Sequence, residues 1–163
     1  MTEIASLTSL LNWKIESGSH EWPGPDGGTC INEAAIVAAG FPYKAVSQAS
    51  DCPPCFSPVV SAYLIRLNDI LNDDDRQLLI PFVTRLSGSA DTDQIERQRL
   101  NYIFIETIRQ IVSRAMDAAD LPDQARACRD VSTVAQARTT STRAAKAAWA
   151  ARAARAAEAA EAA

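Results

Sequence analysis

Histidine is almost missing from this sequence: His20 is the only one in 163 residues, so any thiol–imidazole chemistry has to pass through that position. Long apolar runs are missing too. No stretch approaches the roughly 18 uninterrupted apolar residues of a membrane span, and the start MTEIASLTSLLNWK has neither the basic opening nor the small-residue cleavage site of a signal peptide. No membrane contact and a cytoplasmic location are the resulting expectations. A broad basic surface is absent as well: the net charge is −4, and residues 1–141 carry −6 because the last 22 residues are net positive. An acidic body does not neutralise phosphates over a wide face, which argues against general nucleic-acid binding. Nor is there a phosphate-cradling loop, since Gly24, Gly27 and Gly28 are neither followed by the required lysine nor preceded by a strand.

The residues that are present read as helix. The length suits one domain, and 47% hydrophobic residues can bury a modest core. Leu7, Leu10, Leu11 and Ile15 recur at helical spacing after Thr2, predicting a helix over about residues 3–16 that Gly18 ends. Residues 17–29 crowd glycine and proline into a loop that holds His20. A second helix is expected just after a capping Thr29, running to Gly40. Ser57 and Pro58 open a third over about residues 58–71, with Val60, Leu64, Leu67 and Leu71 on one face. The Asn72–Asp75 run supplies carboxylates to the start of a fourth, in which Leu78, Leu79, Phe82, Val83 and Leu86 form the buried stripe. Pro81 predicts a kink or two short pieces there. A long helix comes next over about residues 93–118, with Ile95, Phe104, Ile108, Ile111, Val112 and Ala115 inward.

Beyond Leu121-Pro122 the composition shifts. Fourteen of the 22 residues from Thr142 to Ala163 are alanine, interrupted every third position by Arg143, Lys146, Trp149, Arg152, Arg155, Glu158 and Glu161. Alanine is the best helix former, but on an ideal helix a period of three makes the larger side chains circle the rod instead of marking one face. The expectation is a solvated rod or loosely docked arm. The fold class is therefore all-α: a small orthogonal bundle of about five helices with two long loops and an Ala-rich C-terminal helix. Residues 1–121 are read as a helical core domain, 122–141 as a connecting helical segment and 142–163 as the tail.

One constellation carries chemistry. His20, Cys30, Cys52 and Cys55, spaced H-x9-C-x21-C-x2-C, supply one imidazole and three sulfurs, a complete tetrahedral set for a structural zinc. Three other readings stand beside it. The cysteines can be small buried side chains with His20 satisfied by local hydrogen bonds; two of the loop cysteines can form a disulfide, which a reducing compartment opposes; or Cys30 can be a nucleophile. The last rests on Gly27-Gly28-Thr29-Cys30 opening a helix, where a thiol's pKa falls, with His20 as base and Glu33 or Asp51 as orienting acid. That turn resembles the cysteine turn of transglutaminase-like and arylamine N-acetyltransferase enzymes, in which, however, the histidine and acid follow the cysteine on strands. The Asn72–Asp75 run reads as capping and solvation ahead of cation binding, Trp13 and Trp22 as core or lid ahead of a ligand groove, and Arg76, Arg85, Arg97 and Arg99 as half of a solvated charge face ahead of anion recognition.

Gly18-Ser19-His20, Gly28, Cys30, Glu33-Ala34, Ala39-Gly40, Asp51, Pro54-Cys55 and Ser57-Pro58-Val59, then Leu67-Asn68-Asp69 and Asp75-Arg76-Gln77, resemble a family of bacterial and phage proteins with no established activity. The resemblance covers about residues 18–88. In that family the position of Cys52 is often histidine, which the resemblance adds to the zinc reading; the Ala-rich tail looks like the low-complexity ends found there. The leading expectation is a non-enzymatic helical interaction module, pinned by zinc, that engages an unidentified protein partner. The alternatives are a cysteine-dependent acyl-transfer or hydrolytic enzyme using Cys30 and His20, and an accessory protein whose tail joins copies into a homo-oligomer.

Overall fold

Helix caps and two buried clusters organise the chain. The computed structural model describes residues 14–21 and 28–161, with side chains to residue 157. The chain divides into two compact units, Met1–Arg97 and Gln98–Ala163, each with its own apolar cluster. The described residues are helical apart from loops and one isolated parallel bridge, Ile15 to Thr29, so the all-α expectation holds. No described helix is long and apolar enough to cross a membrane.

In the first unit α1 covers Ile31–Ala38, α2 Pro58–Ile70 and α3 Asp73–Gln77, with a 3-10 segment after them at Ile80–Arg85. Cys30 is the N-cap of α1, one residue later than the expected Thr29, and Gly40 takes φ +82° just beyond the helix, where only glycine is unstrained. Ser57 caps α2 by accepting Val60 N–H, with Pro58 in the first turn. Asn72 caps α3, its Oδ1 accepting Asp75 N–H at 2.9 Å, which makes the acidic run a helix start as read. Pro81 splits the fourth predicted helix as expected, and Leu79, Val83 and Leu86 point into the core while Leu78 and Phe82 stay exposed. Ile15, Cys30, Ile31, Ala34, Ala35, Ile36, Val46, Phe56 and Leu64 complete the cluster, the alanines letting neighbouring backbone approach α1 closely.

The expected first helix falls almost wholly on residues outside the described set, including Thr2, Leu7, Leu10, Leu11 and Trp13; Trp22, Gly24 and Gly27 lie outside it as well. Its predicted end does not hold. Ile15 is buried in the bridge to Thr29, not on a helix face, because Gln77 takes both of its backbone groups: Ile15 N–H donates to Gln77 Oε1 at 3.0 Å and its carbonyl accepts from Nε2 at 2.8 Å.

α4 runs Asp93–Glu106 and continues without a break through a π-helical stretch, Thr107–Val112, into α5, Ser113–Ala118. The predicted 93–118 helix is thus present with a wider turn inside it. Ser113 N–H reaches back to the carbonyl of Ile108. The extra residue in that turn rotates the remainder of the helix: after Ile108 the inward positions are Ser113 and Met116, whereas Ile111 and Ala115, expected inside, are exposed. α5 ends on Asp120 at φ +60°, with Leu121 N–H bonded to the Met116 carbonyl at 2.9 Å, a left-handed cap built on a residue other than glycine.

α6 is Pro122–Arg129 and α7 is Val134–Glu161, a 28-residue helix about 42 Å long. Here the expectation of a solvated rod or loosely docked arm holds for residues 149–157, which are exposed apart from a half-buried Ala151, and is corrected only at the start of the tail. Ala137 and Ala144 are fully buried and Ala148 partly so, packed with Ala125, Cys128 and Val131. Ala144 and Ala148 lie on the same face as Ala137, in the gaps between the larger side chains. Arg155 holds the far end, donating to the Ala119 carbonyl at 2.9 Å and lying 3.3 Å from the Asp120 carboxylate.

Candidate functional site

The residues singled out for chemistry meet a group the sequence reading had given only a supporting role. Glu33 sits in the first turn of α1 with its side chain fully buried. Its Oε1 accepts the backbone N–H of His20 and of Val46, each at 3.0 Å, and the Ser19 hydroxyl at 3.1 Å. Its Oε2 accepts the N–H of Cys30 at 2.9 Å and lies 3.2 Å from His20 Nδ1. One carboxylate thus ties together the 17–20 loop, the start of α1 and the loop after it. Burial pushes the carboxyl's pKa up, but the N–H groups of Cys30, Val46 and His20 and the imidazole outweigh it and hold Glu33 below its ordinary value.

Cys30 and Glu33 form a capping box: the thiol accepts Glu33 N–H at 3.5 Å while the carboxylate accepts Cys30 N–H. The spacing is that of S/T-x-x-E with cysteine in the capping place, a signal present in the sequence that the choice of Thr29 concealed. The thiol is buried, and that burial, joined by the charge of Glu33, pushes its pKa up to about 12. It is therefore a neutral thiol near pH 7, the reverse of the activation a helix N-terminus was expected to give. The expected orienting acid does meet the ring, since Glu33 engages His20 Nδ1. The other ring nitrogen faces Glu16, with Nε2 3.9 Å from Oε2.

Of the four proposed zinc donors, His20 and Cys30 share Glu33 as a partner. His20 lies between Glu33 and Glu16, and Cys30 caps α1. Cys52 and Cys55 are half-buried against the first core, where burial raises the Cys52 pKa. Among the described residues, no three His, Cys, Asp or Glu side chains are arranged to hold a metal ion. All four cysteines are free thiols, which corrects the disulfide alternative.

Asp51, the other acid considered for His20, instead closes its own turn by accepting the N–H groups of Ser47 and Gln48, each at 3.1 Å. The buried, bridging roles of Asn68 and Arg76 were not read from the sequence. Asn68 is buried and bridges Ile31 N–H and the Glu16 carbonyl, the latter at 2.8 Å. Arg76, expected on a solvated face, is buried, its guanidinium donating to the carbonyls of Asn68 and Leu71 and to the Asp73 carboxylate. Gly28 lies against Glu16, whose carboxylate would collide with any added Cβ. Many of the residues that carried the family resemblance therefore hold this network together.

In the second unit the exposed side of α7 presents Trp149, 75% exposed, beside an open groove of about 330 Å³ lined with Arg152, Ala153 and Ala156. Compared with protein-family models, curated proteins and solved structures, the chain matches none.

Proposed function

We propose that this protein is a non-enzymatic helical module that binds another protein through the outer face of α7. The observation that carries the reading is Trp149: a large aromatic side chain left in solvent on a helix whose opposite face is docked and whose end is tied by Arg155. Tryptophan and arginine dominate the energetic centres of protein interfaces, and Trp149 stands with Arg152 beside shallow alanine positions that a partner side chain can enter. The chemistry-bearing groups of the first unit support the same reading from the other side, because Glu33, His20, Cys30 and Asp51 are engaged in internal hydrogen bonds.

Replacing Trp149 by a photo-crosslinking phenylalanine analogue in cells that produce the protein tests this. The proposal expects an adduct with a different protein at position 149 and none at Ala135, an exposed position on the same helix away from the groove. Adducts of two copies of this chain would favour the assembly alternative instead. Selective alkylation of Cys30 in the native protein at neutral pH, ahead of Cys52 and Cys55, would favour the enzyme.

A further inference from the structure

The π-helical turn has no part in the interaction reading. Such turns are rare, weaken the regular hydrogen-bond ladder, and concentrate at functional positions. In this chain the turn carries its own support: the Ser113 hydroxyl donates to the Arg109 carbonyl, one of the groups the wider turn displaces. Around it the helix gathers polar and charged side chains. Arg109, Gln110, Ser113, Arg114 and Asp117 succeed one another at spacings that share a face across the π–α5 junction, and Arg129 reaches the same place from the end of α6.

These six residues line an open cavity of about 400 Å³, within the size range of small-molecule sites. Three guanidinium groups and one carboxylate line it, and a second carboxylate, that of Glu106, pairs with Arg109 from outside the lining. Two of the guanidinium groups are already positioned: Arg109 by Glu106 at 3.0 Å and by the Arg129 carbonyl at 3.3 Å, Arg129 by Asp117 at 2.7 Å. Each is partly exposed, and a guanidinium carries more donors than these contacts use. Arg114 is exposed and has no ion-pair or hydrogen-bond partner among the described residues. The charge distribution along the chain agrees. Residues 98–163 hold ten basic against seven acidic side chains, while residues 1–97 hold six against thirteen, so the positive excess belongs to this unit.

We infer that the cavity at the π-helical turn binds a small phosphorylated molecule, its phosphoryl oxygens taken by Arg114 together with the free donors of Arg109 and Arg129. Guanidinium forks suit that chemistry. Asp117, paired with Arg129 and three residues after Arg114, sets a limit on the affinity by repelling the anion. A nucleic-acid backbone fits less well, because the positive set is one concave cluster and not a stripe along the surface.

Titration of the full-length protein with pyrophosphate, monitored by calorimetry and by backbone amide shifts at low ionic strength, tests the inference. The expected result is saturable binding with shifts confined to residues 106–117 and 126–130, weakened at least about tenfold in Arg114→Gln, the size of effect that loss of one charged contact gives, and unchanged in Arg138→Gln, an exposed cation outside the cavity. Inorganic phosphate should bind more weakly at the same residues. Three results would overturn the inference: no saturable binding at millimolar pyrophosphate, equal loss in both variants, or tighter binding of a mixed-sequence oligonucleotide that tracks the basic residues of α7.

Discussion

The two units solve the same packing problem with opposite materials. In the first, short helices and long loops are held by buried polar groups, so that Glu33, Asn68, Arg76 and Gln77 each join separate segments of the chain. In the second, longer helices close over alanine, cysteine and aliphatic side chains with few buried polar atoms. A loop cannot satisfy its own backbone as a helix does, so a loop-rich unit needs buried acceptors and donors to finish the work. A helical unit needs only close approach, which alanine supplies. The first arrangement is specific and easily broken by one atom; the second tolerates polarity changes and is sensitive to volume.

The largest effect that separates them is expected from Glu33→Gln. Both carboxylate oxygens accept backbone N–H groups, so whichever way the glutamine amide is turned its NH₂ meets a donor. A loss of roughly 3–5 kcal/mol is expected, as for a buried charge network broken at one partner. Urea unfolding should show the first unit failing before the second.

Acid should widen the same gap. Glu33 is held below its ordinary value of 4.5 when folded, so its contribution is fully present above that value and is lost as the pH falls through it toward the lowered folded value. Circular dichroism with exchange mapping as the pH falls below the ordinary Glu33 value of 4.5 should find the Glu33-bound loops opening while α6 and α7 persist.

Volume should reverse the order. Ala144→Leu adds bulk at a fully buried seam position and is expected to cost about 1–3 kcal/mol, confined to the second unit. The smallest effect has the opposite sign. Asp120→Gly relieves a left-handed backbone but gives up the exposed pair with Arg155, for a net gain under about 1 kcal/mol in thermal unfolding.

Helix positions were legible in the sequence because caps and breakers act locally. Ser57-Pro58, Asn72, Pro81 and the 93–118 periodicity each specified an element that forms. The features that escaped were tertiary. Nothing in the periodicity of residues 104–115 marks where one extra residue enters the turn, and the inward face after Ile108 moved with it. The seam of α7 is not legible because the large residues of the period-three pattern mark no face, whereas the buried ones are alanines between them. At the candidate site the residues were found, but their roles were exchanged. His20 and Cys30 drew notice as metal donors or a catalytic pair; Glu33, which looked like a helix-start acid, is the group that gathers them. A glutamate three residues after a capping thiol carries that signal, and only the fold shows that its second oxygen has partners from two loops.

Hydrogen exchange at single-residue resolution on Glu33→Gln tests the organising role of this carboxylate most directly. The account expects the amides of His20, Cys30 and Val46 to lose protection together while those of α6 and the buried half of α7 keep theirs. Unchanged protection at those three amides would contradict it, and would leave the loops of the first unit held by something other than Glu33.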